Sequence, residues 1–202
     1  RCFTPLPSWY PPFEGSTVAE YEFPLHALTQ RPMAMYHSWG SQNPWLRQIH
    51  GYNPMFISRK LADENCIKDG DWIWVISHHG KIRVPVAVME GVNERTIWTW
   101  NAIGKRKGAW SLDADAPEAK KGFLLNHLIN ELLPAREDGM RWANSDPITG
   151  QAAWFDLRVR IEPAGLDEPA EVAPQFDSLP PTPGQKRPHE TLRYGQIGRA
   201  HV

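Results

Sequence analysis

Lys68-Asp69-Gly70-Asp71-Trp72-Ile73-Trp74-Val75-Ile76-Ser77-His78-His79-Gly80-Lys81-Ile82-Arg83-Val84-Pro85-Val86-Ala87-Val88 is the stretch whose reading decides the fold. Lys68 to Asp71 is a turn that delivers Trp72 to Val75 and Ile76, an apolar run too short for a helix and rich in β-formers. His78-His79-Gly80-Lys81 then reverses the chain. Ile82, Val84, Val86 and Val88 follow, alternating with Arg83, Pro85 and Ala87. A buried apolar strand, a tight reversal and a strand of period-two alternation together predict a β-hairpin.

The same logic extends outward. Tyr21, Phe23, Leu25 and Ala27 alternate with Glu22, Pro24, His26 and Leu28, predicting a strand that ends near Thr29. Met55-Phe56-Ile57 and Thr96 to Trp100 predict two more strands, and Phe155, Leu157, Val159 and Ile161, alternating with Asp156, Arg158 and Arg160, a last one. Ser41-Gln42-Asn43-Pro44 and Ser58 are placed to cap short helices. Phe123, Leu124, Leu128, Leu132 and Leu133 predict a helix over 120–133. Four prolines among the first twelve residues mark 1–20 as an extended linker. Seven prolines from Pro163 to Pro188, with few aliphatics, mark 163–202 as a tail without its own core. Its singly spaced Phe176, Leu179, Leu192, Tyr194 and Ile197 suit anchors on another surface, with simple disorder as the alternative. The body over 21–162 is thus mainly β with short helices.

The 202 residues suffice for one substantial domain. A net charge of −1 gives no electrostatic case for nucleic acid or acidic membranes. Ten tryptophans are a surplus; some are expected in the core, and the rest suit flat ligands or a partner surface. Cys2 and Cys66 are too few and too far apart to hold an iron–sulfur cluster. No apolar run approaches the roughly 20 residues of a membrane span. Arg1 stands first and no signal-peptide pattern follows, which suggests a piece of a longer or processed polypeptide.

Five weak motifs occur in a set order: Thr29-Gln30-Arg31, Tyr36-His37-Ser38, Ile67-Lys68-Asp69-Gly70-Asp71, Asn126 on an apolar segment, and Asp146-Pro147-Ile148-Thr149-Gly150-Gln151 before a closing strand. In that order they resemble the C-terminal dinucleotide-binding domain of the dimethyl sulfoxide reductase family of molybdenum oxidoreductases, over about Phe23 to Pro163. The resemblance implies a six-stranded double-psi β-barrel. It also implies molybdopterin guanine dinucleotide as cofactor, two of which hold one molybdenum. The metal's protein ligand and a 4Fe–4S cluster are expected upstream or in another chain, so this chain alone is expected to be inactive.

Within that resemblance the chemistry assigns residues. A pyrophosphate is matched by Arg31 and by the hydroxyls of Thr29 and Ser38. A pterin edge, with amide-like donors and acceptors, is matched by Asn126 and Gln151. His37 is placed to donate to a pterin nitrogen or a phosphate, and Trp39 to stack on a ring. The bland alternatives are a surface arginine, loop-satisfying hydroxyls, an ordinary buried histidine and a turn-capping asparagine. His78-His79 reads as turn rather than metal site. The chain departs from the family at Gln30 and Cys66, where glycine is usual, and at Phe155, where lysine is usual.

Trp98 to Arg106 resembles the branch handling sulfur compounds, including sulfite-oxidising and polysulfide- or thiosulfate-reducing enzymes. Expected partners are the remainder of the catalytic subunit, a membrane anchor subunit and an iron–sulfur electron-transfer subunit. The expected location is the cytoplasm, at a membrane through those partners, with the periplasm left open. Two other functions compete: a non-catalytic β-barrel interaction module using the same tryptophans, and a single-strand nucleic-acid binder, which the neutral charge disfavours.

Overall fold

The computed structural model describes residues 12–40, 43–101, 103, 123–130, 132–134, 137, 139, 143–145, 151–152, 156–165 and 175–176. Six strands close on themselves: β1 (Leu25–Gln30), β2 (Met55–Ile57), β3 (Trp72–Ile76), β4 (Gly80–Val88), β5 (Thr96–Trp100) and β6 (Arg158–Pro163). Around the barrel the order is β2-β5-β1-β6-β3-β4, and β4 pairs back onto β2. The β1–β5 and β2–β4 pairings are parallel; the rest are antiparallel. Closure leaves no long strand edge exposed, which a sheet of this size otherwise has to protect. This is the mainly β, six-stranded barrel that the resemblance implied.

Alternation sets which face each strand buries. Leu25 and Ala27 of β1, Ile73 and Val75 of β3, and Ile82, Val84 and Val86 of β4 point into one apolar core with Met55, Ile57, Ile97, Val159 and Ile161. At roughly 1.5–3 kcal/mol for each fully buried aliphatic side chain, this core is the main stabilising term. The tryptophans stand elsewhere. None of the six described ones is buried, so the expectation that some fill the core is corrected for these positions. Branched aliphatics fit the narrow interior, and the indoles line the outer wall. There Arg83 lies 4.6 Å over Trp72 and Lys81 4.5 Å over Trp74. Trp98 stacks on Phe56 with ring centroids 4.0 Å apart.

Turn chemistry explains the joints. Gly70 takes a left-handed φ of 85°. Asp71 accepts from the Lys68 N–H, and Asp69 from the N–H of Val88 where β4 ends. Pro44 opens helix α3 (Pro44–Ile49) behind its Asn43 cap, and Ser58 caps helix α4 (Arg59–Glu64) through the Leu61 N–H. Helix α4 ends in a Schellman motif: Ile67 N–H donates to Ala62 O and Cys66 N–H to Asp63 O. That motif needs a left-handed residue, and Cys66 occupies it at φ 55°. Glycine would sit there unstrained, so cysteine costs about 1 kcal/mol. Gln30, the other replacement for a glycine, is ordinary strand and carries no such strain.

Three expectations are corrected. The helix over 120–133 is absent among the described residues: a 3-10 turn (Leu125–Leu128) lies between extended Leu124 and Ile129, and Leu132 bridges to Ala143. Leucine spacing suited a helix, but the carbonyls of Phe123 and Leu128 are bonded to distant side chains instead. Inside the stretch read as extended linker, Phe13–Thr17 forms helix α1, with Pro12 at the N-cap, where a missing N–H is harmless. β1 begins at Leu25, after a turn that closes on Phe23 N–H to Ala19 O. Within the tail, strand β7 (Gln175–Phe176) pairs with Gly80 and Lys81 of β4. The Asp146–Gly150 turn and Phe155 lie outside the described residues.

Candidate functional site

β1, β3 and β5 run in the same direction, so their C-terminal ends share one end of the barrel with the start of β2 and the β3–β4 hairpin. The segment 123–128 crosses that end. Asn53 donates to Phe123 O at 3.4 Å and to Trp100 O at 3.3 Å. Ser77 Oγ donates to Leu128 O at 2.8 Å. Pinned at both sides, the segment buries Phe123, Leu125 and Leu128 as a plug and leaves Asn126 exposed.

Thr29 is in register with Thr99 and half-buried at the same end. Thr99 donates to the Asn53 amide oxygen at 2.8 Å, which links the strand carrying Thr29 to the plug carrying Asn126. Arg31 follows immediately, exposed, with its guanidinium 5.7 Å from the Tyr36 ring. Helix α2 (His37–Gly40) comes six residues later and presents Trp39, 78% exposed. The side chains of His37 and Ser38 lie outside what is described. Gln151 is exposed beside Ala152, which bridges to Ser145. Thr29, Arg31 and Asn126 therefore lie at one end of the barrel, Trp39 is exposed on the connection that follows Arg31, and Gln151 lies in the stretch leading to β6.

Sequence reasoning missed Asn53. It is fully buried and makes the bonds that hold the plug. The only signal for it is its position before Pro54 at the start of a strand. Met33, Tyr36, Trp45, Ile49 and Tyr52 are exposed on the same connection as Arg31. His78 is held neutral, its pKa lowered to about 4 by burial and then by the charge of His79. Its hairpin is organised by Ser77, whose hydroxyl accepts from the N–H groups of His79 and Gly80. No group of three or more metal-ligating side chains occurs among the described residues.

The donor set fits a dinucleotide. A guanidinium beside a hydroxyl suits pyrophosphate, and an outward carboxamide on a fixed plug suits the edge of a fused heterocycle. Residues 25–135, more than half the chain, match the family described as "Molydopterin dinucleotide binding domain", and the chain belongs to that family. It is 56% identical over 185 residues to a sulfite dehydrogenase subunit of Allochromatium vinosum, covering 92% of this chain and 19% of that protein. It is 29% identical over 136 residues to trimethylamine-N-oxide reductase of Haemophilus influenzae, covering 66% and 15%. Among solved structures, acetylene hydratase from Pelobacter acetylenicus shares the fold at a TM-score of 0.55 and 22% identity, over 79% of this chain and 21% of that one. The chain thus spans at most about a fifth of these proteins' length.

Proposed function

We propose that this chain is the cofactor-covering part of the catalytic subunit of a molybdenum oxidoreductase that acts on sulfite or a related inorganic sulfur compound. The observation that carries the reading is the barrel end itself, where Thr29, Arg31 and Asn126 are displayed on elements tied through Asn53. The likeness to a sulfite dehydrogenase over nearly the whole chain supports the sulfur substrate.

In this reading Arg31, Thr29 and Ser38 hold the pyrophosphate of a molybdopterin guanine dinucleotide, and His37 donates to it or to the pterin. Trp39 stacks on a ring, and Asn126 and Gln151 read the pterin edge. When bound, the cofactor supplies two-electron chemistry at molybdenum. The chain orients the pterin and excludes water from it. A protein of which this is one fifth has most of its surface elsewhere, and the exposed Met33, Tyr36, Trp45 and Ile49 suit burial against that remainder. The metal ligand and a 4Fe–4S cluster belong there. A membrane anchor and an iron–sulfur subunit complete the assembly, in the cytoplasm at the membrane face.

The test uses the assembled native enzyme. Acid denaturation is expected to release fluorescent pterin and GMP, and sulfite is expected to reduce a dye acceptor through the enzyme. The isolated chain is expected to do neither. Pterin without sulfite turnover would leave the binding role and remove the substrate. Absence of pterin would remove both.

A further inference from the structure

Arg31 is exposed, and a guanidinium on a flexible stem gives up rotamer freedom when it meets a phosphate. The loop that follows supplies it with a partner. Met35 N–H donates to Pro32 O at 3.5 Å, a turn that brings Tyr36 back beside Arg31. The guanidinium carbon then lies 5.7 Å from the centre of the Tyr36 ring. The backbone of Tyr36 is fixed on both sides. Its neighbour Met35 is only 2% exposed, and its own carbonyl accepts from Gly40 N–H at 3.1 Å, the bond that closes helix α2. A Cβ at Gly40 would lie 2.6 Å from Met35 Cγ, so glycine there lets the helix close on Met35. An anchored backbone thus carries a ring that is itself 63% exposed and contributes little to the core.

We propose that Tyr36 is a positioning residue for Arg31: its ring holds the guanidinium at the barrel end, ordered for the pyrophosphate before the cofactor arrives. This rests on the functional reading above and adds a residue to it. The chemistry selects on both sides. The negative face of a phenol ring attracts a guanidinium and leaves the in-plane N–H donors free for phosphate oxygens. That same face does not attract an anion, so the ring orders the arginine without competing for the phosphate. Ordering the side chain in advance lowers the entropy lost on binding. The pairing also strengthens once bound cofactor shields it from water.

The experiment is a double-mutant cycle on the full-length enzyme: wild type, Arg31→Ala, Tyr36→Leu and the two together, with Tyr36→Phe beside them. The rate of pterin loss after dilution is read for each, together with the melting temperature of the cofactor-free form. Tyr36→Leu keeps apolar bulk and removes the ring face. It is expected to lose pterin roughly two- to thirtyfold faster than wild type, at an unchanged melting temperature. Tyr36→Phe keeps the face without the hydroxyl and is expected to restore retention. In the Arg31→Ala background, Tyr36→Leu is expected to add no further loss, because the group it acts through is gone. Unchanged retention in Tyr36→Leu would overturn the proposal. So would equal loss in Tyr36→Phe, which assigns the hydroxyl, or an equal further loss without Arg31, which gives the ring a contact of its own. Loss that merely follows a lowered melting temperature would make Tyr36 structural and overturn it too. All four outcomes leave the functional reading standing; only wild-type enzyme free of pterin would remove that reading, and this proposal with it.

Discussion

Replacing Asn53 with alanine is expected to loosen the cofactor end of the barrel by about 3 kcal/mol, a large effect for a single polar side chain. Its amide meets three groups: the carbonyls of Trp100 and Phe123 and the hydroxyl of Thr99. All sit in or beside the core, and alanine strands two carbonyls without donors while leaving a small cavity. Packing of Phe123 and Leu128 holds the rest of the plug, so the barrel stays folded and the opening is local. Hydrogen exchange on the full-length enzyme should read amides 123–129 opening on the order of a hundredfold faster, with β3 amides little changed. Unchanged exchange at the plug would show that apolar packing alone seats it.

Helix α1 is expected to hold the barrel more weakly as pH rises from about 4.5 to 7. Glu14 is fully buried, and one carboxylate oxygen accepts from the Arg158 N–H at 2.6 Å while the other has no partner among the described residues. Burial raises its pKa to about 7; the Arg158 N–H opposes this, nearby Asp156 adds to it, and the Arg158 charge opposes it. A folded pKa above the unfolded value of 4.5 means that the docked helix binds the proton more tightly. Docking is therefore strongest below pH 4.5, weakens through the window up to 7, and is constant above it. The shift corresponds to roughly 3 kcal/mol. Exchange of amides 13–18, corrected for intrinsic rates, should show this slope in wild type. Glu14→Gln should flatten it; an equal slope in that variant would assign it to another group.

Local periodicity was enough where a strand's face decides its burial. Met55–Ile57, Trp72–Ile76 and Thr96–Trp100 have the bounds read from their apolar and β-branched residues, and Ser58 and, within the stretch Ser41–Pro44, Asn43 cap the helices they precede. Non-local bonds defeated the same reasoning at 120–133. Its leucines fit a helix, but Asn53, 70 residues earlier than Phe123, fixes the chain in another form. Glu14 and Arg158, 144 residues apart, are likewise joined by a contact that no window of sequence contains. The outward tryptophans follow from the width of a six-stranded barrel, whose interior admits Ile, Val and Leu more readily than indole.

The candidate site divides in the same way. Arg31 and Thr29 were legible because a polar pair closing an apolar strand must lie at its end. That Asn126 reaches the same end was implied by resemblance alone, and the physical cause is the plug held by Asn53 and Ser77.

The central claim, that this end of the barrel grips the dinucleotide, is tested most directly by pterin retention in the intact enzyme carrying Arg31→Ala. Arg31 is exposed, so its loss should leave the fold intact. Removal of a charge-assisted contact to a phosphate is expected to weaken cofactor binding by about 1.5–3 kcal/mol, roughly ten- to a hundredfold. The account predicts that washed Arg31→Ala enzyme loses pterin and molybdenum together while exchange across β1–β6 matches wild type. Pterin and molybdenum at wild-type levels after the same washing would contradict it.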